Sequence, residues 1–141
     1  MTPPRFAFTM PVKETLNANG RLHWRAAVTR KQLIAQLTAV SARGLKPVGR
    51  ATVVCGVVKA TRQAYDAQNM QPSLKAVVDQ LVRMGVLDED SNRFVTGPLI
   101  VPAGVDRGLA ARGPVPQRLR FEVSLLPYLD AEEIVSRLAL P

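Results

Sequence analysis

The chain has 141 residues, a hydrophobic fraction of 47% and a net charge of +8, from 19 basic and 11 acidic groups. That length suits one domain able to bury a real core, and the lone Cys55 excludes an internal disulfide, as expected in a reducing compartment. No run approaches the ~20 apolar residues of a membrane span, and the opening MTPPRFAFTMPVK lacks the pattern of a secretory leader, so a soluble, cytoplasmic protein is expected.

In chain order, RFAFTMPV (5–12) alternates Phe6, Phe8 and Met10 and predicts a strand. KETLNANGRLH (13–23) is a loop with Asn17, Asn19 and Gly20 as turn residues. Residues 22–43 carry a helical pattern whose apolar face is Leu33, Ile34, Leu37, Ala39, Val40 and Ala42, with Gly44 as the stop. ATVVCGVVKA (51–60) is β-branched and predicts a largely buried strand that takes Cys55 inside. After the loop 61–69, Leu74, Val77, Val78, Leu81 and Val82 fall on one stripe of a second helix, opened by Pro72 and stopped by Gly85. An acidic turn, 86–92, leads to a strand at 94–101 that Pro98 confines to an edge or a bulge. The Gly- and Pro-rich stretch 102–116 is expected to be a mobile loop. QRLRFEVSLLP (117–127) alternates again, with Leu119, Phe121, Val123 and Leu125 inward. Asp130 and Glu133 form a capping-box pattern for a last helix at 131–139. The order β-α-β-α-β-β-α predicts a single α+β domain with a small mixed sheet and flanking helices.

Charge is distributed unevenly. Eleven basic groups and one acid, Glu14, precede Asp66; eight basic and ten acidic groups follow from there. A one-signed field of this kind draws polyanions, and nucleic acid is the expected partner. Acidic lipid fits less well, because no basic amphipathic helix carries Trp or Phe on its apolar side. Arg21, Arg25, Arg30, Lys31 and Arg62 are candidate DNA contacts, as are Arg107 and Arg112 in the long loop. Trp24 either stacks on an unpaired base or anchors a core or dimer contact.

The chemistry on offer is that of carboxylates. There is no phosphate-binding Gly-rich loop and no Cys/His metal spacing, and the single His23 suits a solvent-facing or capping role. Asp66 precedes the second helix, Lys75 projects from it, and Asp88, Glu89 and Asp90 follow it. Hard oxygen ligands select Mg²⁺ or Mn²⁺, an ion that can activate water at a phosphate, and a nearby lysine can add charge there. The plainer reading is a solvated acidic turn and an i, i+4 pair between Lys75 and Asp79.

The stretch YDAQNMQPSLKAVVDQLVRMGVLDEDSNRFV (65–95) resembles the core motif of the RusA-like Holliday-junction endonucleases. That motif is D-x-D-N, then K-x-x-x-D-x-L on a helix, a glycine stop and an acidic turn ending in aspartate. Asp66, Asn69, Lys75, Asp79, Leu81, Gly85 and Asp90 occupy the corresponding positions, and PVKETLNANGRLHW resembles the family's opening loop. Pro72-Ser73 before the lysine and Val95-Thr96-Gly97-Pro98 after the acidic turn look most like actinobacterial and phage-borne members. The resemblance implies a homodimeric, Mg²⁺-dependent nuclease acting on four-way or branched DNA. Asp66 and Asp90 would be metal ligands and Lys75 a catalytic cation. Gln68 stands where the middle aspartate is expected, so it ligates through a neutral carbonyl, or Asp88 or Glu89 completes the site, or cleavage is lost and DNA binding remains. Distance sets a second condition. A helix from 72 to 84 spans ~20 Å, and the six residues 85–90 can return at most ~20 Å. One subunit therefore closes the site only by a nearly straight return or with Asp66 beside the helix; otherwise two subunits share it.

Overall fold

The computed structural model describes residues 2–138. Four strands form one mixed sheet in the order β1-β4-β2-β3, where β1 is Arg5–Pro11, β2 Ala51–Lys59, β3 Val95–Val105 and β4 Arg118–Leu126. β4 runs antiparallel to both β1 and β2, and β3 lies parallel to β2 on the edge. Three helices complete the α+β domain: α1, Trp24–Ser41; α2, Gln71–Arg83; and α3, Ala131–Leu138. The last helix extends to Ala139 in the sequence reading, and that residue lies outside the described ones.

Register explains the core. Phe6 lies opposite Val123, Val123 opposite Cys55, and Cys55 opposite Ile100, so one buried row crosses the sheet. Phe8, Phe121 and Val57 form the next row, with the two phenyl rings edge to face at 5.5 Å. Because side chains alternate along a strand, this face belongs to the helices, and Leu74, Val77 and Leu81 of α2 and Ile34 of α1 close over it. Burial pushes the Cys55 thiol up to about 12, which makes it an inert core residue. On the opposite face Val58, Ala60 and Leu109 form a small second cluster.

Several expected details change. α1 begins at Trp24 and ends at Ser41, two residues inside the expected limits at each end. Its buried positions are Ile34 and Thr38, while Val40 is 63% exposed. Leu33 and Leu37 pack only partly against the core. β3 continues through Pro102 and Gly104 to Val105, so the stretch 102–116 opens as strand. The rest of that stretch is folded: Arg107–Leu109 make a 3₁₀ turn capped by Asp106, Leu109 is buried, and Arg112 and Val115 bridge. The capping box before α3 is half realised. The Asp130 carboxylate accepts the N–H groups of Glu132 and Glu133, but the Glu133 side chain pairs with Arg137.

The loop after β1 is fastened to α2 by one serine. Ser73, fully buried, accepts the Leu16 N–H at 2.8 Å and donates to the Leu16 carbonyl at 2.7 Å. Ser73→Ala leaves both backbone groups buried and unpaired, a loss of about 1–3 kcal/mol for an unsatisfied buried polar group. Urea titration followed by circular dichroism should show the midpoint falling with the slope unchanged.

Candidate nucleic-acid cleavage site

The acidic turn folds back along α2. Gly85, at φ +79°, ends the helix in the left-handed region, and Leu87 then bridges Gly49 beside the start of β2. From there the chain returns far enough for the Asp90 carboxylate to reach Lys75 Nζ at 3.7 Å. Asp79, one turn along the helix, takes the same ammonium at 3.7 Å. The i, i+4 pair therefore exists, but it is half of a three-membered group. Lys75, Asp79 and Asp90 line one small cavity with Gln71, Gly97 and Pro98. The return therefore brings Asp90 back to Lys75 on α2 within one subunit.

Asp66 lies on the approach to the same helix. Its Oδ1 accepts the Gln68 N–H at 3.0 Å and caps the 3₁₀ turn Ala67–Met70 that runs into α2. Gln68 then donates from Nε2 to the Ile100 carbonyl on β3 at 3.0 Å. Ile100 is two residues beyond Pro98, about 7 Å along a strand. Gln68 thus approaches one end of a short β3 segment, and Lys75 and Asp90 approach the other. With Nε2 committed, Gln68 keeps its carbonyl oxygen as a neutral donor.

The other acidic candidates stand apart from this cavity. The Asp88 carboxylate rests against Gly49, 3.2 Å from where a β-carbon there would sit, and its N–H donates to the Gly49 carbonyl. Glu89 is exposed and lines no part of the cavity. Among the described residues no three His, Cys, Asp or Glu side chains gather as a metal-holding group.

The basic candidates divide into free and committed groups. Arg21, Arg25, Lys31, Arg62, Arg107 and Arg112 are exposed. Arg30 instead donates to the Thr15 carbonyl at 3.1 Å and braces the loop after β1. Trp24 is 65% exposed, which removes the core-anchor reading; the Arg25 guanidinium lies 5.3 Å from its ring centroid. His23 caps α1, its Nδ1 accepting the Arg25 N–H. Sequence reasoning missed Arg83, which shares a groove between α1 and α2 with Lys31, Lys75 and Asp79. Its helical spacing of eight from Lys75 was the available clue. Asp106, at the end of β3, is neutralised locally: hydrogen bonds from Arg120 at 3.0 Å and from the Gly108 N–H hold its carboxyl below the usual range. No helix among the described residues is long and apolar enough to cross a membrane. Comparison with family models and with curated proteins finds no match to this chain.

Proposed function

We propose that the chain is a cytoplasmic, RusA-like endonuclease that acts as a homodimer on four-way or branched DNA and depends on Mg²⁺ or Mn²⁺. The observation that carries this reading is the return of Asp90 to Lys75 beside the β3 segment on which Gln68 docks. Exposed arginines and lysines at the N-terminal end of α1, in the loop after β2 and beyond β3 would hold backbone phosphates. A twofold pair of subunits would present two such sites to two symmetric strands.

In the arrangement that the resemblance implies, Asp66 and Asp90 would each bring a charged oxygen to a hard divalent cation, and Gln68 a carbonyl oxygen. When bound, such an ion activates water and neutralises charge at a phosphate. Lys75 places its ammonium at the same edge, where it can stabilise charge developing on the leaving oxygen. Asp79 and Asp90 orient that ammonium from two sides.

A second reading, DNA binding without cleavage, is favoured by Gln68 itself, which adds no charge where the motif expects an aspartate. A Mg²⁺ titration of nicking on a synthetic four-way junction separates the two. The wild type should nick, and Gln68→Asp should lower the Mg²⁺ needed for half-maximal rate, because affinity for hard cations rises with ligand charge. An unchanged or higher requirement, rescued when Glu89→Gln is added to Gln68→Asp, would mean that the acidic turn already supplies the third ligand. A shifted band with no nicking by either protein would leave only the binding reading.

A further inference from the structure

A second cavity, of about 320 Å³, opens where the parallel strands β2 and β3 end. Its walls include Lys59, Thr61, Arg62 and Tyr65 on one side and Pro102 and Val105 on the other. Pockets for small ligands begin near 300 Å³. Among the described residues no carboxylate lines it. The nearby Asp106 is held by Arg120, so the two cations keep their field. Lys59 is fixed in place, its Nζ 4.0 Å from the Tyr65 ring centroid, and the Tyr65 hydroxyl donates to the Val57 carbonyl at 3.2 Å. Tyr65 is also the residue before Asp66 in the chain, which ties the cavity wall to the segment that leads into α2.

We infer that this cavity is a subsite for one unpaired nucleotide of the DNA strand, with the phosphate on Lys59 and Arg62 and the base against Pro102 and Val105. The inference rests on the DNA-binding part of the function proposed above. Extruding a base costs least where it is already unpaired or mismatched. A cavity of this kind would therefore select that position. The cations would hold the backbone of any sequence, and the apolar wall reads no hydrogen-bonding pattern, so the subsite would recognise unpairing and not base identity.

The test compares binding, in EDTA, to a duplex carrying one central unpaired nucleotide and to the same duplex fully paired. The wild type should prefer the bulged DNA about tenfold or more, because the paired duplex must first unstack a base that the bulge already frees. Val105→Trp fills the cavity while leaving both cations in the chain; Val105 is 41% exposed at a strand end, so the fold should tolerate it. This variant should lose the preference while keeping its affinity for paired duplex. Arg62→Ala should weaken bulged binding more than paired binding, and it decides the matter if circular dichroism shows Val105→Trp to be misfolded. With 2-aminopurine as the unpaired base, the wild type should change its emission and Val105→Trp should not. A wild type without preference, or a preference that survives both substitutions, overturns the subsite. Failure of Mg²⁺-dependent nicking would bear on the cleavage reading alone, since none of these measurements contains metal.

Discussion

Asp90→Asn should reduce junction nicking on the order of 10²-fold or more, the scale of losing one preorganised charge-stabilising group, while junction affinity in EDTA stays within about threefold. Two losses coincide in this variant. The site gives up a charged oxygen donor, and Lys75 keeps only Asp79 to orient it. Binding should hold because removing an acid from a phosphate-facing surface eases the approach of DNA. Asp66→Asn should behave alike for a cleaner reason. The asparagine Oδ1 can still accept the Gln68 N–H, so the turn into α2 survives and only the charge is removed. Lys75→Ala should lower the rate more than the affinity. Single-turnover nicking with a parallel gel shift measures both quantities. Full-rate nicking by either asparagine variant would remove that residue from the site, and an unchanged rate in Lys75→Ala would make the lysine a surface residue.

Gly97→Ala should be among the most destabilising single changes in the chain. Gly97 sits at φ +97°, a conformation side chains rarely adopt. A β-carbon there would lie 2.6 Å from the Val53 carbonyl oxygen and 2.7 Å from the Leu99 nitrogen. Both atoms are backbone, so neither can swing aside, and relief requires β3 to separate from β2. Conformational strain alone costs about 1–3 kcal/mol, and with the collision the total should exceed about 3 kcal/mol, or on the order of 10 °C in Tm. Gly104→Ala is the control. It shares the positive φ, at +105°, but nothing lies within 4 Å of its would-be β-carbon. The difference between the two variants in urea midpoint isolates the collision. Equal losses would mean that the β2–β3 contact yields easily. Gly97 also borders the cavity of Lys75 and Asp90, so its replacement should slow nicking even at temperatures where the protein stays folded.

Much of the fold was legible because burial imposes periods on sequence. The stripe of α2 and the alternation of β1 and β4 record contact with a core, and Asp130 before α3 marks an unpaired helix end. α1 was misread where a polar residue took an inside place: Thr38 is buried, and Val40, two positions on, points to water. The end of β3 was missed because Pro102 and Gly104 usually break strands. On an edge strand the lost N–H can face away from the partner, and Pro102 is tolerated. Strand order was not legible, since no local pattern says that β3 lies parallel to β2. For the candidate site, the apolar stripe and the Gly85 stop placed Lys75 on α2 and Asp66 and Asp90 on the segments that flank it. It could not tell that Asp88 turns toward Gly49 or that Gln68 spans to Ile100, because both depend on contacts between segments distant in sequence.

The bond from Gln68 to Ile100 has a consequence outside chemistry. β3 is an edge strand of eleven residues, and edges of that length invite pairing with another chain. The Ile100 carbonyl is occupied by the Gln68 amide, so an incoming strand would have to displace it before it could bond there. A carboxylate at position 68 has no proton to donate at neutral pH; it would repel the carbonyl and uncover it. The amide that stands where the resemblance expects an aspartate therefore also covers one acceptor on that edge, and Gln68→Asp should leave it open to another chain.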